Sequence, residues 1–174
     1  MIVNERDNRH EAALSVATHL LRAARTAPKG KGVDLIECAV VEGEDLETLA
    51  AEMERIGTER GHMFFLRDAN CIRASECVVL IGTRHKVQGL NCARCGFPTC
   101  AEKPRQVPCA INVVDVGIAV GSAVSLAADL RIDTRIMYSA GVAADHLALL
   151  GEDTSQIYAL PLSISSKSPF FDRK

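Results

Sequence analysis

The sequence predicts one domain of the α/β (α+β) class: a mixed sheet flanked by helices, with a long irregular segment set into it. Three observations lead there. Helical periodicities alternate with single short apolar runs along the chain. A length of 174 residues with 48% hydrophobic content supplies one core of ordinary size, residues 1–174 forming a single domain without internal repeats. From Thr83 to about Ala110 the periodicity stops, and four of the seven cysteines fall in that stretch.

Ala13, Val16, Ala17, Leu20, Leu21 and Ala24 recur at helical spacing. That helix should stop near Ala27, because Pro28 disfavours helix in the residue before it and Lys29-Gly30-Lys31-Gly32 is loop material. Asp34 to Val41 reads as a buried strand. A second helix, from about Glu44, carries Leu46, Leu49, Ala50, Met53 and Ile56 on one face and acidic residues in its first turn. A third, roughly His62 to Ala74, leads into the apolar strand Cys77 to Gly82. Beyond the irregular stretch, a helix over Val113 to Leu130 is rich in small residues, Gly117, Ala119, Gly121, Ser122 and Ala123 among them. Such a surface allows close backbone approach and places the helix centrally, against the sheet or a second subunit; Asp115 reads as the cap of its first turn. Arg135 to Ser139 reads as a short strand, Val142 to Leu150 as a short helix, and Ile157 to Ile164 as a strand that Pro161 pushes toward an edge.

Twenty basic against 22 acidic residues leave a net charge of −2, which gives no global electrostatic case for nucleic acid or an anionic membrane. The N-terminal run holds no apolar signal segment. Val113 to Val120, the longest apolar stretch, is broken by Asp115 and Gly117 and is too short to span a bilayer. An odd number of cysteines with no export signal points to reduced thiols kept for metal or redox chemistry, and to the cytoplasm.

The cysteines of the irregular stretch, bounded by residues 84–110, read C-x2-C-G-x3-C-x8-C: Cys92, Cys95, Cys100 and Cys109. A C-x2-C pair lets two thiolates converge on one metal centre, and Gly96 permits backbone conformations that bring amides close to sulfur. Arg84, Lys86, Arg94, Lys103 and Arg105 flank the segment against Glu102 alone, which suits an anionic 4Fe–4S cluster or docking of an acidic redox partner. Structural zinc is the competing reading, although zinc ribbons repeat the pair and zinc knuckles place a histidine where Cys100 stands. Cys109 is the favoured fourth ligand, with Cys71 and Cys77 in reserve. Cys38, inside an apolar run, reads as a core residue.

The run Cys92-Ala93-Arg94-Cys95-Gly96-Phe97-Pro98-Thr99-Cys100 resembles the 4Fe–4S domain of corrinoid iron–sulfur proteins and electron-transport complex subunits. That resemblance implies the first three ligands; the fourth cysteine of those proteins comes later than Cys109. Over most of its length the chain is similar to the uncharacterised ferredoxin-domain-containing proteins of bacteria and archaea. The residues that carry this are Arg25 to Gly32, the cysteine segment, Asp115 to Ala123, Arg135 to Gly141 and the tail Lys167 to Arg173. A wider similarity, through Ala23 to Pro28 and Asp115 to Ile132, is to FMN-dependent nitroreductases. It implies a nitroreductase-like fold, a homodimer interlocked through the Val113–Leu130 helix, and FMN at the interface with its phosphate on Arg25, Lys29, Lys31 and Lys167. Here Lys29-Gly30-Lys31-Gly32 replaces the polar segment that follows Ala-Pro in those enzymes.

Three functions remain open: a 4Fe–4S protein passing single electrons to a redox partner, a flavin-dependent oxidoreductase using the cluster as a relay, and a zinc-stabilised interaction module. The five histidines show no ligand or triad spacing with a cysteine or carboxylate. Arg135 and Tyr138 lie where they would line a cofactor pocket, though a strand with a snorkelling arginine accounts for them equally.

Overall fold

In a computed structural model, which describes residues 2–171, the chain folds as helices on both faces of a four-stranded sheet. The order along the chain is α1 (Arg9–Thr26), β1 (Ile36–Val41), α2 (Glu44–Arg60), α3 (Met63–Arg73), β2 (Cys77–Arg84), α4 (Ala110–Asp129), β3 (Asp133–Thr134), α5 (Tyr138–His146) and β4 (Thr154–Ser163). The strands lie in the order β1-β2-β4-β3, and every pairing is antiparallel rather than mixed.

Strand β2 explains the layering. Its side chains alternate, so Val78 and Leu80 enter the core under α2, α3 and α5, while Cys77, Val79 and Ile81 enter the core under α1 and α4. With both faces covered, the strand reads as a continuous apolar run and is buried from Cys77 through Thr83. Phe65, Met53 and Met137 fill the first core; Leu20, Val116 and Leu160 fill the second.

Two expectations need correction. The run Arg135 to Ser139 is not a strand: β3 ends at Thr134, Met137 makes a single bridge to Ala159, and α5 starts at Tyr138. Small residues permit this early start. Gly141 sits so close to β4 that a Cβ there would stand 1.8 Å from the carbonyl oxygen of Ile157, beside a bulge where Gln156 has φ 55°. Pro161, in turn, is not on an edge strand, since β4 lies between β2 and β3. Ala159 exchanges both main-chain bonds with Met137. By strand alternation Pro161 faces the same flank, opposite residues 135–136, which pair with nothing there. The proline's missing N–H thus falls in a gap of the ladder.

Helix α4, at 20 residues and mean hydropathy 1.8, is long and apolar enough to cross a membrane by length and composition. Here Val116, Ala119, Ala123 and Ala127 of that helix pack into the second core. Its Asp115 is not a cap. The helix begins at Ala110 with Cys109 as its N-cap residue, and the buried Asp115 carboxylate accepts the N–H of Gly30 instead.

Candidate metal centre

The irregular stretch is a loop from the end of β2 to the start of α4, outside the sheet. Its backbone is tightly turned. Asn91, Ala93 and Gly96 have φ of 48°, 56° and 89°, left-handed values that only glycine adopts without cost. The Gly96 N–H closes a turn on the Ala93 carbonyl at 2.9 Å, and the Asn91 side chain accepts the Cys100 N–H at 2.8 Å. The second bond draws the chain beside Cys92 up to Cys100.

The loop is fastened to the body at its root. The Lys31 ammonium donates to the Gln88 carbonyl at 3.0 Å, and the Asn112 amide donates to the Lys86 carbonyl. The His85 N–H donates to the Asp153 carbonyl at 2.8 Å, and Arg105 pairs with the carboxylate of the same Asp153 at 2.8 Å. Of the flanking cations, Arg84 is paired with Glu37, and Lys103 donates to the carbonyls of Pro104 and Val107.

Cys92 is exposed, and Cys95, Cys100 and Cys109 are half-buried. None of the four forms a disulfide. Among the described residues no group of three His, Cys, Asp or Glu side chains stands close enough to hold a metal ion. The four cysteines offer the donor chemistry of an iron–sulfur cluster on one loop, and buried polar side-chain atoms without partners lie at the loop's root, on His85, Gln88 and Asn112. They do not form a closed tetrad.

The other cysteines are packing residues. Cys71 lies in the first core with its thiol 3.5 Å from the Pro169 carbonyl, and Cys77 is in the second. Burial pushes the Cys77 thiol up to about 12 and the Cys38 thiol up to about 11, beyond ordinary thiolate chemistry. Neither reserve ligand lies in the loop.

Three of the four basic residues assigned to a flavin phosphate have partners within the chain. Arg25 donates to the Asp34 carboxylate and to the Ile36 carbonyl, both at 2.7 Å. Lys29 caps the end of α1 by donating to the carbonyls of Ala24, Arg25 and Ala27. Lys31 holds Gln88, as described, and Lys167 is exposed after β4. The tail motif is described as far as Phe171; its Asp172 and Arg173 lie outside the described residues. Arg135 reaches toward the buried Asp68 and lies 5.7 Å from the Phe171 ring, while Tyr138 opens α5 on the surface.

Spacing alone does not single out His85. It shares a small cavity with Cys109 and Asn112, across 24 residues of chain. The one available signal was its position at the end of a buried strand, where the cysteine segment begins.

The model of a family described as uncharacterized proteins containing a ferredoxin domain (DUF2148) matches residues 105–173. A relative from Archaeoglobus fulgidus, itself described as an uncharacterized protein, is 42% identical over 183 aligned positions, spanning 99% of this chain and 98% of its own. The chain belongs to this ferredoxin-domain family. The matched region takes in Cys109, α4 and the chain after it as far as residue 173, so Cys92, Cys95 and Cys100 precede it. Among solved structures, the ferredoxin-domain chain is similar to a nitroreductase family protein from Clostridium novyi NT, with TM-score 0.56 and 12% identity over 86% of this chain and 73% of the other. An FMN-dependent nitroreductase from Clostridium difficile R20291 gives TM-score 0.57 and 13% identity over 88% and 76%. The fold is nitroreductase-like.

Proposed function

We propose that this protein is a one-electron carrier whose Cys92, Cys95, Cys100 and Cys109 hold a 4Fe–4S cluster. The observation that carries this reading is four thiols without disulfides on a single turned loop, anchored at its root and accessible at its tip. When bound, such a cluster supplies reversible single-electron chemistry. The chain's own part is to hold and tune. Asn91 keeps the two ends of the Cys92–Cys100 run together, and Gly96 lets the backbone turn beside Cys95. Lys31 and Asn112 hold the root still. Membership of a ferredoxin-domain family supports the same reading. A redox partner protein with an acidic face would dock on the loop, where Arg94 is exposed.

The test is anaerobic reconstitution with iron and sulfide, followed by metal analysis, visible absorption and electron paramagnetic resonance. Uptake of about four irons per chain, with absorption that bleaches on reduction, is the expected result. A colourless protein with stoichiometric zinc would overturn it.

The fold favours a second reading, a flavin-dependent oxidoreductase with the cluster as relay. An apolar groove of about 340 Å³, lined by Val113, Gly117, Val120, Gly121, Ile136 and Tyr158, runs beside α4 and offers a place for a planar ring. None of Arg25, Lys29, Lys31 and Lys167 lines it. Extractable FMN after purification decides this reading. A homodimer through α4 goes with it: Val114 and Ile118 are 56% and 40% exposed on that helix, beside Gly117 and Gly121. Ile118→Glu should then convert a dimer to a monomer in analytical ultracentrifugation.

A further inference from the structure

Among the described residues, seven buried side-chain nitrogen or oxygen atoms have no hydrogen-bond partner, and four of them lie at the root of the cysteine loop. They are His85 Nδ1, both amide atoms of Gln88, and Asn112 Oδ1. A buried polar atom left unpaired costs about 1–3 kcal/mol, so such a concentration marks a place that expects polar partners. Gln88 is 5% exposed and Asn112 2% exposed, so bulk water does not supply them.

One of the four lies beside a proposed ligand of the cluster. His85, Asn112 and Cys109 line the same cavity, with Val107 and Pro108 closing it. Its volume is about 10 Å³. That is at the floor of what one water molecule needs, so the cavity has no room for a chain of waters and the lining side chains are the imidazole's nearest polar neighbours. The main chain that carries the imidazole is held from two sides: the His85 main-chain N–H is bonded to the Asp153 carbonyl, and Asn112 grips the carbonyl of the next residue, Lys86.

We infer that His85 becomes a positioning residue once the cluster is bound, donating a hydrogen bond from Nδ1–H to the sulfur of Cys109 across the cavity they share. The inference rests on the 4Fe–4S reading above and deepens it. A donor aimed at a thiolate stabilises the more negative, reduced form of the cluster it ligates, and so raises the reduction potential. The same bond fixes the rotamer of Cys109 at the start of α4, leaving the other three cysteines to the turned part of the loop.

The test compares the full-length wild type with His85→Leu and His85→Asn, each reconstituted anaerobically and titrated through its electron paramagnetic resonance signal. His85→Leu removes the donor and should take up the same iron but titrate at a more negative potential, its reduced fraction falling several-fold at a fixed ambient potential. His85→Asn keeps a donor near the position of Nδ1 and should titrate close to the wild type. Pulsed paramagnetic resonance on wild type labelled with ¹⁵N-histidine requires no variant to fold, and should show nitrogen coupled to the reduced cluster. A wild-type cluster with no such coupling, or a His85→Leu potential equal to the wild type's, overturns the bond alone. A wild-type chain that takes up no iron–sulfur cluster overturns the bond together with the function on which it rests.

Discussion

Both carboxylate oxygens of Asp115 face the main-chain N–H of Gly30, at 2.9 and 3.1 Å. An acid inside the first turns of the most apolar helix thereby ties that helix to the loop after α1. The aspartate is buried, and removing it strands the Gly30 N–H. Asp115→Ala should cost about 1–3 kcal/mol of stability. Urea unfolding measures it, and Asp115→Asn, which keeps an acceptor, should cost less.

Helix α5 rests on β4 without an intervening side chain at Gly141. A methyl group there would meet the Ile157 carbonyl carbon at 2.7 Å as well as its oxygen, and backbone cannot swing aside as a side chain can. Gly141→Ala should therefore destabilise by about 3 kcal/mol or more and lower the thermal midpoint, despite the better helix propensity of alanine.

The seven cysteines should divide by reactivity. Cys38 and Cys77, whose thiols burial holds near 11 and 12, should resist iodoacetamide at neutral pH in the native protein, while exposed Cys92 is alkylated. Cys95→Ser should abolish the visible absorption of reconstituted protein. Cys77→Ala should leave that absorption intact and cost stability by opening a small cavity in the second core.

Arg25 and Asp34 set an acid limit. Burial works to raise the Asp34 carboxyl, but hydrogen bonds from Arg25 and from the Ile36 N–H outweigh it and hold the group below its ordinary value of 3.8. A carboxyl depressed on folding contributes stability in full above its unfolded value, and the contribution is lost as pH falls through the folded value. The urea midpoint of the wild type should fall between about pH 5 and about pH 2, and Asp34→Asn should flatten part of that fall.

Much of this was legible in the sequence because the signals are local. The spacing Ala13, Ala17, Leu20, Ala24 is one helix face, and all four residues are buried. The loss of periodicity after Thr83 marks a loop. What stayed hidden depends on contacts between distant residues. The role of Asp115 required Gly30, 85 residues earlier. Pro161 is tolerated inside the sheet because β3 is only two residues long, a fact of pairing rather than composition. His85 gained meaning only when the fold set it beside Cys109. At the start of α5, Ile136 and Tyr138 favour strand locally, and the tertiary contact at Gly141 overrides that preference.

The cysteine loop leaves the body at the end of β2 and returns at the start of α4, and Asn112 bonded to the Lys86 carbonyl holds those two points together. Both cores are complete without it: no cysteine of the loop belongs to either. In evolutionary terms the loop is a cassette. A descendant could lengthen, shorten or exchange it at little entropic penalty, since closing a loop between fixed ends depends only weakly on its length. Selection on electron transfer and selection on folding then act on separate stretches of the same gene.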